Sequence, residues 1–287
     1  GAALRHRAAT RARRFRIGLF YWWRHGRWPD LDHPRLFTEW VQWRKLHDDR
    51  ASLAALTDKL YSKAFAAQHC GAELCVPTYW SGTKLPSVPP GPLPLMVKAN
   101  HGCGQFRVVH SLDEWRRARI AARRWLGSAY GGWLDEGQYR VARRLILVEP
   151  LLGGGDGGGD DNSGRGGGGG GLPDDYKVYV FGGSAAIVQH HKGRGTRAHS
   201  WTQFDREWRW VGGAASLVPP PAGLERMIEA AERLGSGHDF IRVDFYEVEG
   251  RVWFGEFCLF PGSGLDPFEP IALDYSLGVL WAAARAS

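Results

Sequence analysis

The sequence predicts an α+β fold, with a helical N-terminal part followed by strands arranged in hairpins. Residues 52–70 carry apolar side chains at helical spacing and stop before Gly71, a residue that suits a helix C-terminus. Strand-like runs flank Gly182-Gly183 and Glu249-Gly250, and both pairs are typical of hairpin turns. A length of 287 residues and a hydrophobic content of 44% allow one large or two modest domains.

The net charge of +7 comes from the first 50 residues. They hold 12 Lys/Arg and 5 Asp/Glu, whereas the other residues hold 25 of each sign. Residues 4–28 combine arginines with a Phe/Tyr/Trp cluster, which suits an anionic membrane surface or nucleic acid. A basic helix docked on its own domain is the alternative. Residues 34–50 follow with roughly helical spacing, so we expect 1–50 to form a basic, aromatic arm and a helix.

The cysteine pattern and the hydropathy exclude several classes of protein. None of the four cysteines makes a C-x-x-C pair, which argues against zinc and thioredoxin-type sites. A chain of this size needs no disulfide, so we expect reduced thiols and a cytoplasmic protein. No apolar run reaches 18 residues, so we expect no transmembrane helix, and residues 17–23 are too short for a signal peptide.

A lysine and a glycine-rich turn follow a short apolar strand, Leu95 to Val97. Lys98 ends this strand, residues 100–104 read Asn-His-Gly-Cys-Gly, and a return strand covers residues 106–109. Backbone N–H groups of such a turn can face polyphosphate oxygens. Burying Lys98 in an apolar strand is costly unless an anion meets it. The pattern differs from a Walker P-loop, and an ordinary hairpin turn is the alternative.

The middle of the chain divides the predicted fold into two parts. A capping box at Ser111 opens a helix that ends near Leu126, and residues 145–149 form an apolar strand that ends in an acid. Residues 153–172 are rich in glycine and should form a disordered insertion. We therefore expect a first α+β lobe at residues 51–152 and a second at residues 173–287.

The last hairpin predicts a cation site. A three-residue loop, residues 249–251, would place Asp244 opposite Glu256, whereas a two-residue loop would place Val243 there. Two carboxylates directly opposite on a sheet repel each other, so the pair predicts a bound cation, most naturally Mg²⁺. A solvated hairpin face is the alternative.

Upstream, residues 190–197 form a predicted loop in which Lys192, Arg194 and Arg197 suit an anionic substrate, with an ordinary polar loop as the alternative.

Six segments, in this order, resemble the ATP-grasp superfamily, and most closely its TupA-like branch, which is linked to teichuronopeptide and capsular polysaccharide biosynthesis. They lie between about residues 34 and 280. The segments are TDKL (57–60), MVKANHGCG (96–104), LVEPLL (147–152), DDYKVYVFGG (174–183), FIRVDFYEV (240–248) and WFGEFCLFPGSG (253–264).

The resemblance implies two α+β lobes that clasp ATP between them. Lys98 would hold the α- and β-phosphates, the glycine turn would close over the phosphates, and residues 149–152 would meet adenine and ribose. The second lysine, Lys177, would lie at the hinge side of the nucleotide. The residues expected to bind ATP are Lys98, His101, Gly102, Gly104, Glu149, Leu151 and Lys177.

The resemblance also implies roles at the reacting end. Asp244 and Glu256 would bind Mg²⁺, and Arg242 would steady the transferring phosphoryl group. Lys192, Arg194 and Arg197 would meet an acidic acceptor. One departure is Cys258, which stands where many ATP-grasp enzymes have a metal-binding Asn.

The implied function is that of an ATP-dependent ligase, which activates a carboxylate as an acyl phosphate and joins it to an amine. The substrate would be an anionic glycan or an amino acid, in cell-surface polysaccharide, capsule or glycopeptide biosynthesis. The alternatives are an ATP-grasp phosphotransferase acting on a glycan and a non-enzymatic basic adaptor. Because the body is neutral and lacks RRM, KH and helix-turn-helix signatures, we do not expect a nucleic-acid partner. We expect a cytoplasmic enzyme whose residues 4–28 contact the inner membrane face.

Overall fold

Two antiparallel sheets and the helices around them form the protein. The computed structural model describes residues 2–153, 172–193, 199–214 and 218–287. Its helices are α1 (Ala2–His25), α2 (Phe37–His47), α3 (Ala51–Ala55), α4 (Lys59–Cys70), α5 (Leu112–Gly127), α6 (Leu224–Gly235) and α7 (Ile271–Ala286). Its strands are β1 (Trp80–Gly82), β2 (Leu95–Ala99), β3 (Phe106–Val109), β4 (Ile146–Pro150), β5 (Asp175–Phe181), β6 (Ser184–Lys192), β7 (Ser200–Asp205), β8 (Trp210–Gly213), β9 (Phe240–Val248) and β10 (Arg251–Cys258).

The first sheet has four strands in the order β1-β4-β2-β3 and packs against α5. The predicted cap of this helix is present, because the Ser111 side chain accepts a hydrogen bond from the Glu114 N–H. Trp115 of α5 is buried in a small apolar core with Val97 of β2 and Ile146 of β4. This core holds the central strands β2 and β4 side by side, so that Lys98 and Glu149 can meet on one face of the sheet.

The second sheet has six strands in the order β10-β9-β5-β6-β7-β8. Its larger core contains Met227 of α6, Phe240 of β9 and Trp281 of α7, all fully buried. The expected hairpin at Gly182-Gly183 joins β5 to β6. The α+β class predicted from the sequence is confirmed by this arrangement, and α1 and α2 give the N-terminal region its expected helical character.

A buried carboxylate joins the N-terminal helices to the second sheet. Asp239, at the start of β9, accepts hydrogen bonds from Arg44 of α2 at 2.7 Å, from Arg50 at 2.8 Å and from Arg285 of α7 at 3.1 Å. The indole of Trp281 donates at 3.3 Å to Oδ2, the oxygen that Arg285 also binds, whereas Arg44 and Arg50 bind Oδ1. Because a buried charge is stable only when it is paired, this cluster determines how α2 and α7 sit on β9.

One predicted helix is divided into two. The sequence predicts a single helix over residues 52–70, but α3 ends at Ala55 and α4 begins at Lys59. The break occurs because Asp58 acts as an N-cap, and its side chain accepts a hydrogen bond from the Tyr61 N–H at 3.0 Å. The cap starts α4 as a separate helix, which packs against both α6 and β10.

Two predictions from the sequence lie wholly or partly outside the described residues. The Gly-rich tract is described only at its ends, residues 153 and 172, so its predicted disorder is outside the described part of the chain. Arg194 and Arg197 are also outside it. Lys192 is described, and here the predicted loop was wrong: residues 190–192 belong to β6, because His191 pairs with Asp175 and Lys192 with Ser200.

Acid is expected to destabilise the protein steeply between about pH 4 and about pH 2. Burial alone would raise the pKa of Asp58, but Arg143 and the capped N–H groups outweigh it and hold the pKa at about 2. Asp239 is likewise held at about 2 by Arg44 and Arg50 despite its burial. Both carboxyls ordinarily titrate at 3.8, so their stabilisation is present above that pH and is lost as the pH falls through the folded value.

The measurement is thermal unfolding by circular dichroism at a series of pH values from 7 to 2. Asp58→Asn should remove part of the acid sensitivity and lower stability at neutral pH. Asp113→Asn, which alters an exposed carboxylate, is the matched control. A melting temperature that stays constant from pH 5 to pH 2 would contradict the expectation.

Candidate active site

A cleft lies where the two sheets face each other across α4. Its apolar lining includes Val76, Met96, Phe106, Leu151, Leu152 and Tyr246. Its charged lining comprises Lys59, Lys98, Glu149 and Glu256, and the glycine turn contributes Gly102 and Gly104. An apolar pocket with a few convergent charges is the usual form of a small-molecule site.

The anion that Lys98 requires is supplied within the protein. The Lys98 Nζ lies 2.6 Å from one oxygen of Glu149, and the Lys63 Nζ of α4 lies 2.5 Å from the other. Burial would raise the pKa of Glu149, but these two lysines outweigh it and lower the pKa, so the carboxylate is ionised. Glu149 therefore orients the two cations. Leu151, two residues further on, lines the cleft as expected.

The glycine turn is held to α4 and leaves its backbone facing the cleft. Asn100 accepts a hydrogen bond from the Leu60 N–H at 2.9 Å, and the Lys59 Nζ donates to the Gly102 carbonyl at 2.8 Å. Gly104 has a φ of 70°, a conformation that favours glycine, and no atom would contact a Cβ built there. The turn is thus narrow and open on the cleft side.

His101, which the resemblance places in the phosphate-binding turn, contributes only its backbone to that turn. His101 is 2% exposed, and its Nε2 is hydrogen bonded at 2.9 Å to the carbonyl of Trp125 in α5. Its ring therefore points into the first lobe, away from the cleft. Only the backbone of this residue belongs to the turn.

Asp244 and Glu256 are direct cross-strand partners, although the predicted loop is wrong. The turn has two residues, Glu249 and Gly250, with φ values of 54° and 73°, so Arg251 pairs with Val248. Gly255 then forms a bulge between Phe254 and Glu256, which shifts the register by one residue and restores the pairing of Glu256 with Asp244.

The two carboxylates have different neighbours. Asp244 is 1% exposed and is bound by both Arg242 (Nε at 2.7 Å, Nη2 at 2.6 Å) and the Lys177 Nζ at 2.8 Å. Burial would raise the pKa of Asp244, but these cations hold it well below its usual range. Lys177 also binds Asp175 at 2.5 Å and is buried, so its side chain does not line the cleft, contrary to the contact with the nucleotide that the resemblance implies. Glu256 is partly exposed and lies 3.1 Å from the Lys59 Nζ.

Asp244 and Glu256 suit a cation that takes most of its ligands from phosphate oxygens and water. Among the described residues, no group of three or more His, Cys, Asp or Glu side chains is arranged to hold a metal ion. Cys258 pairs with Arg242 in the sheet, and burial raises the pKa of its thiol to about 12, so it stays protonated. Two carboxylates still match Mg²⁺, which is usually held by one or two carboxylates together with phosphate oxygens and water.

A second pocket lies on the other side of Arg242, which lines it. Its aromatic walls are Tyr179, Trp201 and Phe268. Its polar lining includes Gln189, His191, His199, Gln203 and Asp266. The Oε1 of Gln203 and the Nε2 of His191 are buried and make no hydrogen bond to the part of the protein that is described. Burial, with Lys177 and Arg242 nearby, lowers the pKa of His191 to about 2, so this ring is neutral.

One family model matches the C-terminal part of the chain. Residues 172–281 match the family model described as TupA-like ATPgrasp. The resemblance expected from the sequence is therefore confirmed over this segment, which contains the hairpin with Asp244 and Glu256. No curated protein matches the chain significantly.

Several solved structures are similar in fold to the chain that carries this TupA-like segment. The D-alanine–D-alanine ligase from Helicobacter pylori is 15% identical with a TM-score of 0.48, over 80% of this chain and 61% of that one. The L-amino acid ligase from Bacillus licheniformis is 12% identical with a TM-score of 0.47, over 80% of this chain and 48% of that one. The ATP-grasp ligase PsnB is 12% identical with a TM-score of 0.42, over 83% of this chain and 62% of that one. The chain thus spans less than two thirds of the length of each.

Two site residues outside the TupA-like segment were missed from the sequence. Lys59 and Lys63 lie four residues apart on α4 and bind Glu256 and Glu149 respectively. Their common orientation could have been predicted, because both lie in the predicted helix 52–70, and residues at i and i+4 share a helix face. Lys192 lies exposed at the end of β6 and lines neither pocket.

Proposed function

We propose that this protein is an ATP-dependent ligase of the ATP-grasp type, which activates a carboxylate as an acyl phosphate and joins it to an amine. The observation that carries the proposal is the position of Arg242. It binds Asp244, whose cross-strand partner Glu256 lines the cleft, and it lines the second pocket itself. A phosphoryl group moving from the cleft to a carboxylate in that pocket would pass this guanidinium.

The cleft supports binding of ATP. Its apolar lining, with Met96 and Leu151, would take the adenine, while Lys98 would meet the phosphates. Backbone N–H groups of the glycine turn would face phosphate oxygens. Mg²⁺ held between Asp244 and Glu256 would neutralise the negative charge that phosphoryl transfer has to overcome. When Glu256 takes a cation, Lys59 would be released from its ion pair and would turn toward the phosphates.

The chemistry assigned to the chain's residues follows from their positions. A substrate carboxylate oxygen attacks the γ-phosphorus, the bond to the ADP oxygen breaks, and Arg242 stabilises the charge on the transferring group. An amine then attacks the acyl carbon, and inorganic phosphate leaves. Arg242 is suited to both steps, because its guanidinium presents paired donors to carboxylate and phosphate alike.

The second pocket supports a sugar acid or an amino acid as the substrate. Trp201 and Tyr179 offer aromatic faces, and Gln189 and Gln203 offer amides that exchange hydrogen bonds with hydroxyl groups. Together with the TupA-like match, this chemistry supports a role in cell-surface polysaccharide or glycopeptide synthesis. Contacts from Lys192, Arg194 and Arg197 to an acidic acceptor remain a prediction.

The protein is expected to bind Mg·ATP and to lose much of that affinity in Lys98→Met. At a ligand concentration about 100-fold above Kd, binding should stabilise the folded state by about 2.7 kcal/mol. Removing the charge-assisted contact of Lys98 should weaken binding about 10- to 150-fold, because such contacts contribute about 1.5 to 3 kcal/mol. Glu149 keeps Lys63 as a partner in this variant, so the fold should be retained.

Thermal unfolding with and without Mg·ATP measures this effect, and isothermal titration gives the affinity. Lys84→Met changes an exposed lysine and is the matched control. Equal ATP affinity in the intact protein and in Lys98→Met would contradict the assignment of the cleft as the ATP site. Product analysis then separates the two enzyme classes: a ligase releases phosphate only when both substrates are present, whereas a phosphotransferase forms ADP without free phosphate.

A further inference from the structure

Helix α1 exposes a continuous stripe of large apolar side chains. Phe15, Leu19, Trp22 and Trp23 occupy positions i, i+4, i+7 and i+8, which share one face of a helix. Their exposed fractions are 62%, 43%, 46% and 70%. Contiguous exposed apolar surface of this kind usually marks an interaction site.

The fold determines which face of α1 points outward. On the inner face Ile17 and Tyr21 are buried, and the Tyr21 hydroxyl is hydrogen bonded to Thr38 Oγ1 at 2.9 Å. Arg13 and Arg16 hold the helix to the buried carboxylate of Asp135. The exposed stripe is therefore presented by an anchored helix.

A neighbouring indole enlarges the stripe into a patch. The Trp28 ring is 53% exposed and packs over Gly18, where a Cβ would come within 2.3 Å of it. It also lies beside Phe15, with ring centroids 6.0 Å apart. We call Phe15, Leu19, Trp22, Trp23 and Trp28 the aromatic patch.

The segment that carries the aromatic patch is basic, although part of its charge is neutralised within the protein, where Arg14 pairs with Asp32 at 2.8 Å and Arg13 and Arg16 pair with Asp135. Residues 1–28 contain eight arginines and no acidic residue. Arg11 is exposed one turn before Phe15. Tryptophan and phenylalanine beside arginine are the side chains that favour the boundary between lipid headgroups and acyl chains. A second copy docking through the same patch would bring the two arginine-rich segments together, and like charges would oppose that contact.

We propose that the aromatic patch docks the protein on the surface of an anionic lipid bilayer, with α1 lying parallel to the membrane plane. Among the described residues, no helix is long and apolar enough to cross a membrane, so this contact is peripheral. The indole and phenyl rings enter the interface, and the arginines meet anionic headgroups. This inference is independent of the proposed ligase activity.

Docking in this orientation brings the second pocket close to the membrane. Near the C-terminal end of α1, the Arg24 Nε donates to the Leu265 carbonyl at 3.1 Å, and His25 is hydrogen bonded to the Gly264 carbonyl at 3.1 Å. The same loop supplies Gly262 and Asp266 to the second pocket. A substrate held at a bilayer surface would thus be presented beside the pocket rim.

The test is co-sedimentation of the full chain with vesicles, either of phosphatidylcholine alone or of equimolar phosphatidylcholine and phosphatidylglycerol. We expect binding to the anionic vesicles, weakened by added salt. Trp22→Ser combined with Trp23→Ser should lower the partition coefficient by at least about tenfold, since two interfacial side chains are removed. Trp210→Ser, which removes an exposed indole from β8, is the matched control and should bind as the intact chain does. All of these side chains are exposed, and unchanged melting curves verify the fold.

Three outcomes would overturn the proposal. The first is no binding to anionic vesicles, and the second is equal binding to both kinds of vesicle. The third is a dimer in light scattering that the Trp22→Ser/Trp23→Ser variant abolishes, which would assign the patch to a second copy of the chain.

Discussion

Replacing Asp244 with asparagine is expected to lower the free energy of unfolding by about 3 to 5 kcal/mol as well as to stop turnover. From the sequence alone, this carboxylate is a metal ligand whose loss should leave the fold intact. The structure changes that expectation. Asp244 is buried and binds both Arg242 and Lys177, whose side chains are themselves 10% and 5% exposed.

The loss arises because asparagine cannot neutralise the two buried cations. Lys177 would keep Asp175 as a partner, whereas the Arg242 guanidinium would lose the carboxylate that binds two of its nitrogens. An uncompensated buried charge is far less stable than a paired one. A double variant with Lys177→Met should therefore be less destabilised than the sum of the two single variants.

Urea unfolding of the single and double variants measures these energies. Asp113→Asn, which breaks an exposed pair with Arg116, should change stability by no more than about 1 kcal/mol. Wild-type stability in Asp244→Asn would show that Arg242 does not depend on this carboxylate.

Replacing Glu256 with glutamine is expected to lower turnover by about 100- to 1,000-fold with little loss of stability. Glu256 has 23% of its side chain exposed and forms an ion pair with Lys59. Such a partly solvated pair adds only about 0 to 1 kcal/mol to stability. Its catalytic effect is larger, because a cation held by Glu256 would lie against the transferring phosphoryl group.

This variant separates catalysis from folding, which Asp244→Asn does not. Phosphate release under saturating Mg·ATP gives turnover, and the melting temperature gives stability. Glu249→Gln is the matched control, because it makes the same change at the exposed tip of the same hairpin. Full activity in Glu256→Gln would remove Glu256 from the proposed cation site.

The hairpin shows how far local pattern can predict a site. Alternation along β9 places Arg242 and Asp244 on one face, and the pair Glu249-Gly250 indicates where the chain reverses. The pairing of Asp244 with Glu256 was predicted correctly from a wrong loop. A bulge depends on the packing of Gly255 against Asp244 and Tyr246, which alternation does not encode.

The contacts that could not be predicted are those between distant segments. The sequence shows that Lys98 needs an anion, but not that Glu149, across the strand pair, provides it. Nor does the sequence show that the His101 side chain turns away from the cleft, because its hydrogen-bond partner, the Trp125 carbonyl, lies 24 residues further along the chain. The break at Asp58 was hidden because the apolar spacing continues through it.

Helix α4 sets the distance between the two halves of the cleft. Lys59 binds a carboxylate of the second sheet, and Lys63 binds one of the first. Four residues of helix amount to a rise of about 6 Å, and each residue turns the helix by about 100°. Deleting one residue between these lysines would rotate one away from its partner, whereas a substitution there would not. The exposed Tyr61 should therefore accept changes of residue type, whereas the stretch 60–62 should reject changes of length, because the number of residues in it fixes the spacing of the two lysines.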